Sequence, residues 1–231
     1  MNQIDATARI GPDVVIGDGN IIGPYAVIAG RVAIGSGNYI GAHAVIGGHA
    51  QHSTGKPELK GDPSGSIDIG DRNVIREFAT INHPVEERTM VENDCYIMAY
   101  ANVSHDSIVR TGAILSSGCL LGGFSDIGER ANLGYGVLVH QFSTIGAFAM
   151  VGMGTAVIRD IPPFLKVVGN PVRLIGINDV GMSRSGFDEA AVAHVRAQIA
   201  MSRLPDQGDA GRRVRDFVAR ANRNGRSTLT L

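Results

Sequence analysis

The chain has no tryptophan, and its 231 residues include only five tyrosines and seven phenylalanines. This scarcity excludes a core built on large aromatic side chains and favours a narrow aliphatic core. Two cysteines exclude a disulfide framework. The sequence also lacks an apolar run long enough to span a membrane, and it lacks a basic start followed by the apolar stretch of a secretion signal. We therefore expect a cytoplasmic protein without a membrane span.

Net charge is also small, at −1, but it is unevenly distributed. Residues 181–231 contain nine arginines and five acidic residues, whereas the preceding part of the chain is acidic. Such a basic end is either an ordinary solvated surface or a surface that binds an acidic partner or phosphates. The overall charge and the lack of a recognised nucleic-acid module argue against nucleic acid as a partner.

A six-residue repeat dominates what is present. Isoleucine, leucine or valine recurs every sixth residue in three runs, from Ile4 to Ile46, from Ile69 to Ile81 and from Val91 to Val157. Glycine often follows, and the chain has 31 glycines, as expected for tight corners. Period six is neither helical nor simple strand alternation, and it indicates a short strand followed by a turn.

This pattern resembles the hexapeptide repeat of left-handed parallel β-helix acyltransferases. The resemblance implies that three hexads form one triangular coil of 18 residues and that stacked coils enclose the aliphatic side chains. We expect an all-β solenoid, a left-handed parallel β-helix, in residues 1–160. Residues 161–231 are expected to form a C-terminal extended segment and a small helical domain.

Breaks in the repeat predict the remaining organisation. Polar residues rich in glycine and proline predict external loops at 47–66 and about 82–89. The pair Pro162-Pro163 is expected to end the solenoid, because proline cannot donate to a strand ladder. Apolar residues at helical spacing predict helices at 188–204 and 212–221 that cover the end of the solenoid.

Two histidines depart from the small residues usual in the repeat. His105 and His140 follow inward-facing valines two coils apart, so we expect both at one corner, with Gly123 in the coil between them. A neutral imidazole can remove a hydroxyl proton at pH 7, and Asp106 could orient the ring of His105. Gly123 could bring a backbone N–H close to a thioester oxygen. Metal ligation by the histidines is the alternative, although no third ligand appears at matching phase; we expect no metal.

A more specific resemblance is to the family of UDP-N-acetylglucosamine O-acyltransferases of lipid A synthesis. It covers most of the chain. The motifs that carry it are Ile69-Gly-Asp-Arg-Asn-Val-Ile-Arg-Glu77, Val103-Ser-His-Asp106, Val139-His-Gln-Phe142, Asp160-Ile-Pro-Pro163, Gly169-Asn-Pro171 and Gly181-Met-Ser-Arg-Ser-Gly-Phe187.

The family implies direct transfer of a hydroxyacyl group from acyl carrier protein to the sugar, in a homotrimer with sites between subunits. No cofactor is expected, since the acyl donor is carried on the phosphopantetheine of acyl carrier protein. By resemblance, His105 is the general base, Asp106 supports it and Gly123 is the oxyanion donor. The resemblance assigns contacts to the sugar, nucleotide, acyl chain or carrier to Glu58, Lys60, His140, Gln141, Asn178 and Arg184.

Several positions depart from the family pattern. Asn82, Asn102 and Phe124 stand where the family has histidines, and Ser185 replaces an arginine. These changes fall on substrate-facing positions and leave the nucleotide sugar open. Met153 stands where long-chain members have glycine, which predicts a shorter acyl group if it is not simply subunit packing. The alternatives are an acetyl-CoA-dependent N-acyltransferase acting on a nucleotide amino sugar, and a non-enzymatic scaffold.

Overall fold

The computed structural model describes residues 1–51, 65–224 and 227–231. Short strands, most of them separated by four-residue corners, occupy most of the chain, and three helices follow them. The strands are β1 Gln3–Ile4, β2 Arg9–Ile10, β3 Val14–Ile16, β4 Ile21–Ile22, β5 Val27–Ile28, β6 Val32–Ile34, β7 Tyr39–Ile40, β8 Val45–Gly48, β9 Ser66–Ile69, β10 Val74–Ile75, β11 Thr80–Asn82, β12 Arg88–Val91, β13 Tyr96–Ile97, β14 Asn102–Val103, β15 Ile108–Val109, β16 Ile114–Leu115, β17 Leu120–Leu121, β18 Asp126–Ile127, β19 Asn132–Leu133, β20 Leu138–Val139, β21 Thr144–Ile145, β22 Met150–Val151, β23 Ala156–Val157, β24 Leu165–Val168 and β25 Arg173–Ile177.

These strands form three sheets, which are the three faces of a solenoid. Sheet A runs β1-β4-β7-β10-β13-β16-β19-β22-β24-β25, sheet B runs β2-β5-β8-β11-β14-β17-β20-β23, and sheet C runs β3-β6-β9-β12-β15-β18-β21. The chain therefore passes from A to B to C in every coil, and we name its turns the A–B, B–C and C–A corners. The pairing is parallel throughout, except for the antiparallel hairpin of β24 and β25. The predicted all-β solenoid with a helical tail is confirmed.

Aliphatic residues of the repeat fill the interior as predicted. From Ile22 onward, every inward position is at most 4% exposed. Ile4 and Ile10 are 45% and 37% exposed, because they belong to the first coil and have a neighbouring coil on one side only. Burial of this aliphatic column is the main stabilising contribution to the solenoid.

The two interruptions leave the solenoid intact. Ile40 pairs with Ile75 and Ile75 pairs with Ile97 in the same sheet, although the regular spacing between paired residues is 18. Both interruptions fall between a strand of sheet B and the following strand of sheet C, and residues 52–64 of the first predicted loop lie outside the described part of the chain. The strands on either side therefore resume their register, and the second excursion is brought against the next coil.

The stack continues past the proline pair, contrary to the predicted end of the solenoid. Ile161 forms a parallel bridge with Ile145, and β24 pairs with β22. The intercoil hydrogen bonds of this segment use the amides of Ile161 and Phe164, so the prolines between them need no N–H. Pro162 and Pro163 therefore lie within a last partial coil.

Three helices follow the hairpin: α1 Asp179–Arg184, α2 Glu189–Ala200 and α3 Gly208–Asn224. The helix predicted at 188–204 is present but ends earlier, and the helix predicted at 212–221 extends further in both directions. Helix α1 was not predicted from the sequence, since six residues around a glycine show no helical period. Its N-cap is Asn178, whose side chain accepts the amide of Gly181.

Buried ion pairs hold α3 against sheet C. The Asp126 carboxylate accepts hydrogen bonds from Arg110 of the solenoid and from Arg220 of α3. Arg213 bonds to Glu129 at 2.9 Å, and its guanidinium lies over the ring of Phe148. α3 is thus packed on the side wall formed by sheet C, whereas α2 contacts the terminal strand β25. Across the described parts of the chain, none of the helices has the length and apolar character needed to span a bilayer.

Candidate active site

His105 and Asp106 form a hydrogen-bonded pair at the B–C corner after β14. Val103 is buried in the core, and the chain then turns, so that Asp106 has φ = +57°. Aspartate tolerates this left-handed conformation better than most residues. Nδ1 of His105 lies 2.9 Å from Oδ2 of Asp106, and the two side chains are 7% and 5% exposed. The turn therefore makes two adjacent residues converge, as the sequence analysis proposed.

The carboxylate of Asp106 is also bonded to the excursion between β11 and β12. Oδ2 accepts the amide of Val85 at 2.8 Å, and Oδ1 accepts the amides of Glu86 and Glu87 at 3.0 and 3.2 Å. Burial alone would raise the pKa of Asp106, but the hydrogen bonds from the imidazole and the loop amides outweigh burial and hold this pKa below its ordinary value. Asp106 is therefore ionised at neutral pH.

Gly123 lies directly beside the imidazole of His105 in the next coil. A Cβ atom at Gly123 would lie 2.4 Å from Cε1 and 2.5 Å from Nε2 of the ring. Among the hydrogen bonds formed by the described residues, none uses the Gly123 N–H. Phe124 meets the imidazole edge-on at 5.3 Å and stacks on Phe142 at 4.8 Å. The imidazole of His105 therefore has an apolar wall on one side and a backbone donor beside it.

A polar cluster borders this corner on the outer face of sheet B. Nδ2 of Asn102 donates to Oγ1 of Thr80 at 2.8 Å and to Oδ1 of Asn82 at 3.0 Å. Asn82 in turn donates to the carbonyl oxygen of His49 at 3.1 Å. Asn102 belongs to the same coil as His105. The structure thus brings together the two asparagines that the sequence analysis placed at substrate-facing positions.

His140 and Gln141 lie at the same corner, two coils beyond His105. Gln141 occupies the turn position that corresponds to His105 and Gly123, whereas His140 occupies the preceding position. His140 is exposed, and its Nδ1 lies 3.1 Å from its neighbour's carbonyl oxygen. The two histidines therefore share a corner but not a position, and Gln141 is the residue aligned with His105.

The remaining substrate-binding candidates lie at other corners. Met153 is at the A–B corner and is 73% exposed. Asn178 lies beside the C–A corner, where its Nδ2 donates to the carbonyl oxygen of Phe148 at 2.9 Å. Arg184 is exposed in the last turn of α1. Within one chain these side chains are not grouped with His105. Glu58 and Lys60 lie outside the described residues.

Some contacts of the site had not been anticipated from the sequence. The three loop amides on Asp106 belong to residues about 20 positions away, and Oγ1 of the fully buried Thr89 accepts the N–H of Asp106 at 2.8 Å. The sequence feature that could have indicated these contacts is the excursion itself, because it leaves the solenoid at the B–C corner one coil before His105.

Two further groups bear on the chemistry. Burial raises the pKa of the Cys95 and Cys119 thiols to about 12, so neither is a thiolate at neutral pH. Within residues 1–51, 65–224 and 227–231, no three histidine, cysteine or carboxylate side chains are grouped as metal ligands.

A parallel β-helix of hexads with a buried histidine–aspartate pair defines a hexapeptide-repeat transferase. Residues 1–30 and 13–48 match the family model for the bacterial transferase hexapeptide (six repeats), and residues 160–223 match domain 2 of UDP-N-acetylglucosamine O-acyltransferase. An acyl-[acyl-carrier-protein]–UDP-N-acetylglucosamine O-acyltransferase from Stutzerimonas stutzeri (strain A1501) is 40% identical over 204 residues, which cover 84% of this chain and 79% of that protein. The chain belongs to the UDP-N-acetylglucosamine O-acyltransferase family.

Solved structures agree with this assignment. A UDP-N-acetylglucosamine acyltransferase from Bacteroides fragilis 9343 is 29% identical, with a TM-score of 0.75 over 99% of this chain and 98% of that one. LpxA from Acinetobacter baumannii has a TM-score of 0.77 over 98% and 99% of the two chains. At 23% identity, that second likeness concerns the fold alone.

Proposed function

We propose that the protein transfers an acyl or hydroxyacyl group from acyl carrier protein to the 3-hydroxyl of UDP-N-acetylglucosamine. The observation that carries this proposal is the corner geometry: an imidazole paired with a buried carboxylate and placed beside a glycine with an unused N–H. Family membership supplies the substrate class.

His105 is the general base in this proposal. An ionised Asp106 accepts the Nδ1–H of the ring and so favours the tautomer with its lone pair on Nε2. Nε2 takes the proton of the sugar hydroxyl as the oxygen attacks the thioester carbonyl carbon. The C–S bond then breaks, and the imidazolium returns the proton to the departing thiolate. Asp106 stabilises the imidazolium between these two proton transfers.

Gly123 is the proposed oxyanion donor. Its N–H can bind the carbonyl oxygen as negative charge develops, and any side chain at this position would displace the base. No covalent enzyme intermediate is involved, in keeping with the protonated state of both thiols. The reaction uses no resident cofactor, because the acyl group arrives on the phosphopantetheine of acyl carrier protein.

The proposed active form is a homotrimer. The candidate residues lie at three different corners of one chain, with His105 at the B–C corner, Met153 at the A–B corner and Asn178 near the C–A corner. They can border one cleft only if neighbouring chains present different corners to each other. In this arrangement Met153 limits the length of the acyl chain. The nucleotide sugar is bordered by Asn82, Asn102, His140 and Gln141.

Acyl carrier protein is the proposed acidic partner. Arginines outnumber acidic residues in the tail, and Arg184, Arg203 and Arg215 are exposed on or between its helices. This basic surface complements an acidic carrier and would raise the rate of their encounter. We place the reaction in the cytoplasm.

Mass spectrometry of reaction mixtures tests the proposal. The purified protein is mixed with UDP-N-acetylglucosamine or its 3-amino analogue, and with a ladder of acyl carrier protein and CoA donors. The proposal expects acylated UDP-N-acetylglucosamine from a carrier-protein donor, and the ladder sets the chain length. Product only from the amino analogue or only from acetyl-CoA would replace it with the N-acyltransferase alternative. No product from any pair would contradict both.

A further inference from the structure

The acceptor capacity of the Asp106 carboxylate is fully used by the protein. An ionised carboxylate offers about four acceptor positions. Oδ2 accepts from the imidazole of His105 and the amide of Val85, and Oδ1 accepts from the amides of Glu86 and Glu87. Three of the four donors come from one turn of the excursion after β11, and we name residues 85–87 the amide clamp. A carboxylate bound in this way has one orientation, which is the one that faces the imidazole.

Thr89 fixes the backbone beneath that carboxylate. Its Oγ1 accepts the N–H of Asp106 at 2.8 Å, and its side chain is fully buried. Thr89 lies on β12, which is paired in register with β9 on one side and β15 on the other. The position that holds the Asp106 amide therefore belongs to a rigid sheet strand, although the amide clamp lies only two residues away on a turn.

The clamp and Thr89 together determine how the base is presented. Asp106 is at φ = +57°, the left-handed corner conformation that Phe124 and Phe142 also adopt in the following coils. If its carboxylate rotated, Nδ1 of His105 would lose an ionised acceptor, and the ring could adopt the other tautomer or turn away from Gly123. On its far side the ring contacts Gly123 and meets the edge of Phe124.

We propose that Thr89 and the amide clamp are the positioning elements of the catalytic pair: they hold Asp106 so that His105 keeps its proton on Nδ1 and presents Nε2 to the substrate hydroxyl. Thr89 is a positioning residue, since it touches neither substrate nor the reacting atoms. The inference rests on the proposed function for its kinetic consequence, but its structural content concerns the state of His105 alone.

Two matched pairs of variants test the two contacts. Thr89→Val removes the hydroxyl acceptor with little change in shape, whereas Thr89→Ser keeps the hydroxyl. Glu86→Pro removes one clamp N–H, whereas Glu86→Ala keeps it and changes only an exposed side chain. We expect Thr89→Val and Glu86→Pro to lower kcat about tenfold with little change in KM, which is the scale of losing one hydrogen bond to a charged group. Thr89→Ser should restore most of the rate.

A readout on His105 itself separates positioning from general destabilisation. In protein with ¹⁵N-labelled histidine at about pH 8.5, where imidazoles are neutral, the His105 signals are assigned by their loss in His105→Gln. The wild type should show a protonated Nδ1 and an unprotonated Nε2. Thr89→Val should show averaging between the two tautomers while the other six histidines keep their shifts.

Each outcome is decisive. Unchanged kcat and unchanged His105 resonances in Thr89→Val would overturn the proposal. If Glu86→Pro does not fold, the Thr89 pair still decides. If the wild type transfers no acyl group at all, the proposed function fails, but the resonances still report whether Thr89 and the clamp fix the tautomer. A normal rate with an altered tautomer would refute the kinetic consequence while retaining the structural one.

Discussion

The ring of His105 occupies the space that a side chain at Gly123 would fill. A methyl group on Gly123 would lie within 2.5 Å of Nε2, far closer than van der Waals contact, and the atom it meets belongs to a ring that Asp106 holds in place. Glycine at position 123 therefore leaves room for the imidazole of His105 as well as for the turn. The same residue offers the unused N–H proposed for the oxyanion.

Gly123→Ala should displace the imidazole and lower acyl transfer about 10²-fold or more, the effect of disturbing an oxyanion donor. Gly11→Ala is the matched control, because a Cβ there meets its nearest atom at an ordinary 3.4 Å. Both variants are compared by steady-state kinetics and by their thermal unfolding. Equal activities in the two variants would contradict the proposed arrangement of base and donor.

His105→Gln should lower kcat about 10²- to 10⁴-fold, since general base catalysis contributes on that scale. His194, an exposed histidine on α2, provides the control, and His194→Gln should retain the wild-type rate. Initial rates with a carrier-protein donor make the comparison. Retention of full activity in His105→Gln would show that another group removes the proton.

Asp106→Asn should make the free energy of unfolding less dependent on pH in the acid range. The folded pKa of Asp106 is lowered, so its ionised form stabilises the fold above the unfolded value of about 3.9, and this contribution is lost as pH falls through the lower folded pKa. Asparagine tolerates the same positive φ, so the backbone is preserved. We expect the variant to be less stable by about 1–3 kcal/mol at pH 7, with the difference from wild type shrinking as the pH falls below the unfolded value of about 3.9. Urea unfolding across this pH range measures the difference, and a constant gap would contradict the sign.

Met153→Gly should shift the preferred acyl donor to longer chains. A buried CH₂ group contributes about 0.8 kcal/mol, so a donor longer by two such groups should gain about tenfold in kcat/KM. Met153→Leu keeps the side-chain volume and should keep the preference. Because Met153 is exposed in the single chain, neither change should lower stability by more than about 0.5 kcal/mol. An unaltered chain-length profile would show that this residue does not limit the acyl group.

Arg220→Ala should loosen the attachment of the tail helices. The Arg220 side chain is 12% exposed and bonds to the equally buried Asp126, which would retain only Arg110. We expect a loss of about 1–3 kcal/mol in the free energy of unfolding. Arg212→Ala, at a side chain that is 56% exposed, should cost about 1 kcal/mol or less. Similar losses in both variants would mean that the buried Arg220–Asp126 pair stabilises the fold no more than an exposed ion pair does.

Sequence periodicity was sufficient to predict the solenoid. With a hexad per face, each residue number determines a sheet, a corner position and an inward or outward direction. The periodicity therefore placed His105 and Gly123 in adjacent coils. It also placed His140 at the same corner, although Gln141 is the aligned residue. The helical tail was predicted less accurately, because α1 is too short to show a period.

Contacts made by the excursions could not be predicted in the same way. Thr89 and Asp106 are 17 residues apart, close to one coil. The three residues of the amide clamp, however, have no counterpart in the repeat, and their path is set by tertiary contacts. The carboxylate of Asp106 then accepts hydrogen bonds from the backbone amides that this path places beside it. A side chain can be assigned by phase, whereas a backbone amide in an irregular turn carries no sequence signal.

Outside the two excursions, the 18-residue register makes the length of this molecule adjustable in fixed steps. Each coil contacts mainly the one before and the one after it, so cooperativity passes only between neighbours. Excising residues 11–28 would join Ile10 to Ala29 and leave every later aliphatic side chain facing inward. Excising one residue more or fewer would turn all preceding or following hexads out of phase. A chain built in this way can gain or lose whole coils during evolution while the B–C corner that carries His105 stays unchanged.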